Sequence, residues 1–223
     1  MPSPSAIARL RDNLARVRDR IDAACGRSRR DPAEVTLVAV TKSAGDAEVE
    51  ALIDLGVRDL GESRGVEGSA RAKRFGGDVR WHFIGHLQTN KSAKVIEAFQ
   101  VLHSVDRESL ALDLYAKCSA RNMRLPVFVQ VNVSGEPTKG GFRPEEAARQ
   151  TGLLKLDGFP VMGLMTMARA GPPETARTCF RRLRELAMTC MGKGFLSMGM
   201  SDDFEIAIEE GATHIRVGTA LFA

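Results

Sequence analysis

No apolar run in this 223-residue chain approaches the roughly 20 residues that cross a bilayer as a helix, which excludes a conventional membrane-spanning helix. Residues 1–30 are polar and rich in Arg and Asp and lack the apolar stretch of a secretory signal, so a cytoplasmic protein is expected. Cysteine is scarce. Cys25, Cys118, Cys179 and Cys190 show no metal-ligand spacing, which argues against a zinc site or a disulfide scaffold and for reduced packing residues. A strong charge of one sign is also missing: the net charge is +4, and the arginines (Arg9, Arg11, Arg16, Arg18, Arg20; Arg177, Arg181, Arg182, Arg184) alternate with acids. Such patterns form solvated helix faces, so neither nucleic acid nor a membrane is expected as a partner. No linker or low-complexity segment interrupts the chain, which reads as one domain over residues 1–223.

What is present is a rhythm. After a helical pattern from about Pro4 to Cys25, short apolar runs alternate with amphipathic stretches. The expected strands are Val35–Val40, Val57–Leu60, Trp81–Ile84, Val101–Ser104, Val127–Val133, Val161–Met165, Phe195–Met198 and His214–Val217. Helices are expected after Asp46, over Glu145–Leu154, over Pro172–Met191 and over Asp202–Glu210. Parallel neighbours need a crossover helix between them, and eight such units close into a (β/α)8 TIM barrel. A doubly wound open sheet is the competing architecture; the strand count favours the barrel. No helix is expected after the last strand, and the N-terminal helix is expected to cover that part of the ring.

In this fold the carboxyl ends of the strands carry function. The first of them is Lys42, at the end of a run that reads as buried on both faces. Burial would lower its pKa and free an amine able to attack a carbonyl; a lysine reaching into water fits the position equally well. The other ends collect glycine and polar residues: Gly61-Glu62-Ser63, Gly85-His86, Asp106-Arg107, Asn132, Thr166, Gly199-Met200-Ser201 and Gly218-Thr219. The last two loops suggest a phosphate site built from Ser201, Gly218 and Thr219, although Ser201 could simply cap its helix. Asp202 and Asp203 would have to turn away from such a phosphate. Arg216 shares parity with His214 and Gly218, so with Ile215 and Val217 facing helices it points into the barrel. A buried guanidinium stays charged and needs a partner, either a carboxylate such as Glu62 or a ligand atom. His82 and His86 read as hydrogen-bonded structural residues rather than metal ligands.

These residues lie in segments that resemble the pyridoxal phosphate homeostasis proteins, relatives of the alanine racemase N-terminal domain. The matching segments include Val38-Ala-Val-Thr-Lys42, Trp81-His-Phe-Ile-Gly-His-Leu-Gln-Thr-Asn-Lys91, Gln130-Val-Asn-Val-Ser-Gly-Glu136, Leu196-Ser-Met-Gly-Met-Ser-Asp202 and Arg216-Val-Gly-Thr-Ala-Leu-Phe222. The resemblance implies a barrel like that racemase domain, with an extra N-terminal helix and with pyridoxal 5′-phosphate (PLP) held as a Schiff base on Lys42. It puts Ser201, Gly218 and Thr219 at the phosphate and Arg216 near the pyridine nitrogen, and adds Met200, Asn132 and His86 to the cofactor set. Lys139 matches a family lysine that could be a secondary PLP site; a solvated loop lysine fits as well. The chain departs from the family at Ser63-Arg64-Gly65-Val66-Glu67, where relatives carry an Asn amide and a Gln, and at Ser43-Ala44-Gly45, where a second lysine is absent.

The expected function is a non-enzymatic PLP carrier that releases PLP to amines or to PLP-dependent apo-enzymes, as a monomer. The alternative is a PLP-dependent racemase, which needs proton-transfer groups on both faces of its substrate. The only tyrosine, Tyr115, falls in a helical stretch between strands four and five, and no second base is visible. A cofactor-free Schiff-base aldolase would have no use for Arg216.

Overall fold

The structure, a computed structural model, describes residues 4–153 and 160–223. Eight parallel strands close in sequence order: β1 (Thr36–Val40), β2 (Asp59–Glu62), β3 (Arg80–Phe83), β4 (Val101–Val105), β5 (Val127–Gln130), β6 (Val161–Met165), β7 (Phe195–Ser197) and β8 (His214–Val217). Closure rests on the β1–β8 pairing, where Thr36, Val38 and Ala39 register with His214, Arg216 and Val217. Helices α1 (Pro4–Ser28), α2 (Asp46–Asp54), α3 (Gly65–Arg74), α4 (Ser92–Ala98), α5 (Glu108–Ala120), α6 (Pro144–Leu153), α7 (Pro173–Met191), α8 (Phe204–Glu209) and α9 (Thr219–Phe222) surround them. The expected (β/α)8 barrel is the observed one.

Two cores follow from strand alternation. Outward residues such as Ala39, Leu60, Leu102, Leu164, Leu196, Ile215 and Val217 join the helices in one large apolar layer. Inside the barrel, Val101, Phe128 and Met165 form a small separate cluster. Around it sit polar side chains that are nearly all inaccessible to water: His82, His103, Ser197, His214 and Arg216. Where β6 meets β7 the strands approach closely, since a Cβ on Gly163 would fall 1.8 Å from the Phe195 carbonyl oxygen.

Helix α1 covers the seam of the ring, as expected. Its stripe of Leu10, Leu14, Val17 and Ile21 recurs at helical spacing and is buried, each side chain contributing roughly 1.5–3 kcal/mol. Asn13 Nδ2 donates to the carbonyls of Leu221 and Ala223 at 2.9 Å each, satisfying the end of α9. That short helix corrects the expectation that nothing helical follows β8. Glycine and threonine let the chain turn after Val217, and four residues suffice for one turn packed under α1.

Boundaries differ elsewhere. β1 begins at Thr36, one residue later than expected, and ends at Val40 as expected, where Ala44 N closes a turn onto Thr41 O at 2.9 Å. β5 ends at Gln130 rather than Val133, because the chain bends to pair Asn132 N with Phe142 O at 2.9 Å. β2 begins at Asp59, two residues later than expected, because Val57 N still closes the α2 turn onto Leu52 O at 3.0 Å. The N-cap of α2 is Gly45, not Asp46, and Glu48 reaches back to its amide at 2.7 Å. Leu154, expected to end the sixth helix, lies outside the described residues. The four cysteines are free, three of them buried. Among the described residues no helix is long and apolar enough to cross a membrane, and no cluster of His, Cys, Asp or Glu could hold a metal ion.

Candidate functional site

Three adjacent staves of the barrel, β7, β8 and β1, bring the sequence-predicted residues to one corner of its carboxyl end. On β1, Thr41 extends the ladder by one residue through its amide to Gly61 O at 2.9 Å. Its hydroxyl faces outward and donates to Glu62 Oε1 at 2.8 Å. Lys42, next in alternation, therefore follows Val38 and Val40 on the inward side. Of the two readings left open for it, the structure takes the solvent-reaching one: Lys42 is exposed, and among the described residues it has no hydrogen-bond or ion-pair partner. The strand end places the amine at the barrel mouth without enclosing it.

The loop that carries Lys42 is clamped from below. Arg71 on α3 donates to Thr41 O at 2.7 Å and to Ala44 O at 2.9 Å, gripping the backbone on both sides of Lys42. The same guanidinium meets Glu62 Oε1 at 2.7 Å. Glu62 is thus committed to Arg71 and Thr41, and it is not the partner of Arg216. Gly68 permits this arrangement, since a Cβ there would lie 2.9 Å from the Glu62 Cβ.

On the neighbouring staves, Ser201 Oγ accepts hydrogen bonds from the amides of Gly218 at 3.3 Å and Ala220 at 3.2 Å. It does not cap α8, whose N-cap is Asp203. Gly218 abuts β1, with an added Cβ falling 3.3 Å from Val40 Cβ, so this corner adjoins the strand leading to Lys42. Thr219 follows Gly218 in the same turn. Both amides are spent on Ser201 Oγ, which leaves the Ser201 hydroxyl proton, fixed in place by them, as the donor this trio can offer an anion. Asp203 turns back to accept from the Met200 amide at 2.6 Å, and burial raises its pKa. With Asp202, Arg169 and the exposed Met200 it lines a cleft toward α7, and it also lies near enough to Arg216 for their charges to interact. Gly199, at φ +93°, is required where this loop turns, because a Cβ would lie 2.6 Å from Ala207 Cβ.

Arg216 points into the barrel as its parity predicts and is only 5 % exposed. Its Nη1 donates to Ser197 Oγ at 2.6 Å and its Nη2 to Thr166 O at 3.0 Å. Burial lowers its pKa to about 10, which leaves it a cation at neutral pH. A guanidinium has five N–H donors, so three remain for a ligand.

The other expected residues stand around the mouth. Asn132 is spent on its own loop, donating to Glu136 O and Lys139 O and accepting from Ser134 and the Gly135 amide. His86 is exposed and pairs with Asp106 Oδ2 at 2.9 Å. Lys139 Nζ is held by Ala168 O at 2.7 Å and by Glu136 at 2.5 Å, a geometry of an ammonium rather than a free amine. The atypical segment Ser63-Arg64-Gly65-Val66-Glu67 lines a cleft with His86, Gln88 and Lys91. His82 is the expected hydrogen-bonded structural residue, 2.8 Å from both His103 and Asp59. Arg71, Asp59, His103 and Ser197 are residues that sequence reasoning did not select. Inward parity could have marked His103 and Ser197; nothing local marks Arg71.

No protein-family model matches the chain. Among curated proteins, the pyridoxal phosphate homeostasis protein of Pseudomonas aeruginosa is 42% identical over 219 residues, covering 95% of this chain and 94% of the relative. That of Aquifex aeolicus is 38% identical over 221 residues, covering 95% and 96%. Among solved structures, PipY of Synechococcus elongatus with PLP bound superposes with a TM-score of 0.84 at 31% identity, covering 96% of this chain and all of PipY. An alanine racemase from Clostridium difficile shares the fold alone, with a TM-score of 0.73 at 16% identity over 96% of this chain and 55% of the racemase. With whole-length relatives above one third identity, and a barrel whose β7, β8 and β1 ends carry the family's segments, the chain belongs to the pyridoxal phosphate homeostasis protein family.

Proposed function

We propose that this protein binds PLP for intracellular PLP homeostasis, with the barrel of residues 1–223 as its single binding domain. The observation that carries the reading is the corner formed by β7, β8 and β1. A lysine without a partner among the described residues, a serine hydroxyl held by two backbone amides, and a buried arginine cation stand on adjacent staves. This donor set fits PLP. Lys42 supplies a primary amine for the aldehyde, Ser201, Gly218 and Thr219 supply neutral donors for the phosphate, and Arg216 supplies N–H bonds for the ring nitrogen. Met200, Asn132 and His86 complete the rim, Asn132 by holding the shape of its loop.

When bound, PLP contributes an electrophilic aldehyde that exchanges between amines and a ring that can draw electrons from an attached carbon. The residues here favour the first property over the second. Arg216 donates to whatever faces it, but at neutral pH it has no lone pair and no proton to give up, so a ring nitrogen opposite stays unprotonated. Lys42 is exposed, which allows an incoming amine to reach the same carbon. A second proton-transfer group facing Lys42 is not supplied by tyrosine, since Tyr115 sits on α5, packed against the outer core. These features support a carrier over a racemase. The recipients are free amines and PLP-dependent apo-enzymes in the cytoplasm, and one barrel holds the whole donor set, so the working unit is a monomer.

The test is equilibrium binding of PLP with stoichiometry, followed by reactivation of an apo-enzyme with the loaded protein and an assay for alanine racemisation. One PLP per chain, transfer to the apo-enzyme and no racemisation is the expected result. Racemisation at enzymatic rates would reject the carrier role.

A further inference from the structure

A continuous hydrogen-bonded chain crosses the barrel beneath Arg216. Beginning at the amino-terminal rim, Arg80 Nε meets Asp59 Oδ1 at 2.6 Å, and the same oxygen lies 2.8 Å from His82 Nε2. His82 Nδ1 is 2.8 Å from His103 Nε2, and His103 Nδ1 is 2.7 Å from Ser197 Oγ. Ser197 Oγ in turn accepts from Arg216 Nη1 at 2.6 Å. The members come from β2, β3, β4, β7 and β8, and between Asp59 and Arg216 every link is buried or nearly so.

The two ends fix the polarity of everything between them. A guanidinium can only donate, so Ser197 accepts from Arg216, and with a carboxylate at the far end and neutral imidazoles between, the one consistent polarity has Ser197 give its single proton to His103 Nδ1. His103 then carries its hydrogen on Nε2 and donates to His82 Nδ1, which leaves the hydrogen of His82 on Nε2, aimed at Asp59. An ionised carboxylate can only accept, so the series closes without a conflict. The electrostatics agree. Burial would raise the pKa of Asp59, but hydrogen bonds from His82 and Arg80 outweigh it and hold the carboxyl at about 2. Burial keeps His82 and His103 neutral, and at His103 the nearby Arg216 cation acts in the same direction. Both imidazoles are therefore single donors with defined tautomers.

We propose that Asp59, His82, His103 and Ser197 are positioning residues for the cofactor, a one-way hydrogen-bond chain that fixes the rotation of the Arg216 guanidinium that would meet the ring nitrogen. The inference rests on the PLP reading given above. With Nη1 held by Ser197 and Nη2 by Thr166 O, the guanidinium plane cannot turn without breaking two bonds. The directions of its remaining N–H bonds are thereby fixed. Substitution at the rim, well away from the cofactor, then changes the electronic environment of the ring.

The experiment has two arms. In the first, histidine nitrogen NMR on the wild-type protein between pH 6.5 and 8.5 reads the tautomers directly, with or without PLP. Protons on Nε2 of both His82 and His103 are expected; a proton on Nδ1 of either overturns the chain. In the second, the visible spectrum of bound PLP is titrated with pH in wild type, Ser197→Ala, Ser197→Thr and Asp59→Asn. The spectral midpoint is expected to move by about half a unit or more in Ser197→Ala and Asp59→Asn, and to return toward wild type in Ser197→Thr, which keeps the hydroxyl. A midpoint unchanged in both Ser197→Ala and Asp59→Asn rejects the positioning role while leaving PLP binding intact. A wild-type protein that gives no PLP band at all instead rejects the PLP reading, and the positioning role falls with it.

Discussion

Arg71 and Glu62 form an ion pair at 2.7 Å whose main consequence lies elsewhere, in the backbone of the loop between them. The Arg71 guanidinium also holds Thr41 O and Ala44 O, so the two residues that separate those carbonyls, Lys42 and Ser43, are pinned at both ends. The amine that has no partner of its own stands on one of the most tightly held turns of the barrel mouth. A flexible side chain on a fixed base suits a group that must meet an aldehyde and later let it go.

Replacing Arg71 separates this positioning from the chemistry. Arg71→Ala leaves Glu62, only 3 % exposed at its side chain, without its cation, and the cost is expected to be about 3 kcal/mol of stability. PLP affinity is expected to fall together with stability, whereas Arg71→Lys keeps the charge but loses the two-carbonyl grip. Chemical denaturation and PLP titration of both variants check this. Unchanged PLP affinity in Arg71→Ala would show that the clamp does not serve Lys42.

The Ser201 corner predicts a phosphate-specific loss. Ser201→Ala removes one hydroxyl and is expected to weaken PLP binding about 5- to 10-fold, corresponding to roughly 1 kcal/mol. Binding of pyridoxal, which has the aldehyde but no phosphate, is expected to be unaffected. An equal loss for both ligands would place Ser201 away from the phosphate.

Acid is expected to unfold the barrel from within. His82, His103 and His214 are all pushed below their ordinary pKa of 6.5 by burial, His214 to about 3. An imidazole with a depressed folded-state pKa binds its proton more readily in the unfolded chain. Its contribution is therefore complete above about pH 6.5 and is lost as pH falls toward the folded value. Three such groups give a slope of up to about 4 kcal/mol per pH unit in the acid range. Asp59 adds to the loss only below its ordinary 3.8. Urea unfolding at pH 7.5, 6.0 and 5.0 measures this. Stability that stays flat across those values would mean that the interior histidines keep an ordinary pKa in the folded protein, and stability that rises as pH falls would mean that the fold holds them protonated.

Part of this architecture can be read from sequence because it depends on local order. Eight β-rich runs alternating with helical ones specify a closed parallel barrel, and the two-residue period of His214-Ile-Arg-Val217 places Arg216 inside. The corner of Ser201, Gly218 and Thr219 is legible for a similar reason, since each residue marks a strand end in a fold that uses strand ends. The exposure of Lys42 stayed open in the sequence because a run of β-branched residues does not reveal where a turn will release the chain. The interior relay escaped notice for a different reason. Ser197 and His103 are 94 positions apart, and Arg80 and Asp59 look like rim residues until barrel closure aligns their strands. Arg71 is one of two arginines on an outer helix, and only its meeting with Glu62 at the end of β2 distinguishes it.

The central claim is that Lys42 is the residue that holds PLP, and one measurement addresses it directly. The protein is loaded with PLP, reduced with borohydride, digested, and mapped by peptide mass spectrometry beside Lys42→Ala treated in parallel. The account predicts a single pyridoxyl-phosphate adduct on the peptide containing Lys42, absent in the variant, with Lys139 unmodified. A dominant adduct on Lys139 or on any other lysine, with Lys42 free, would contradict it.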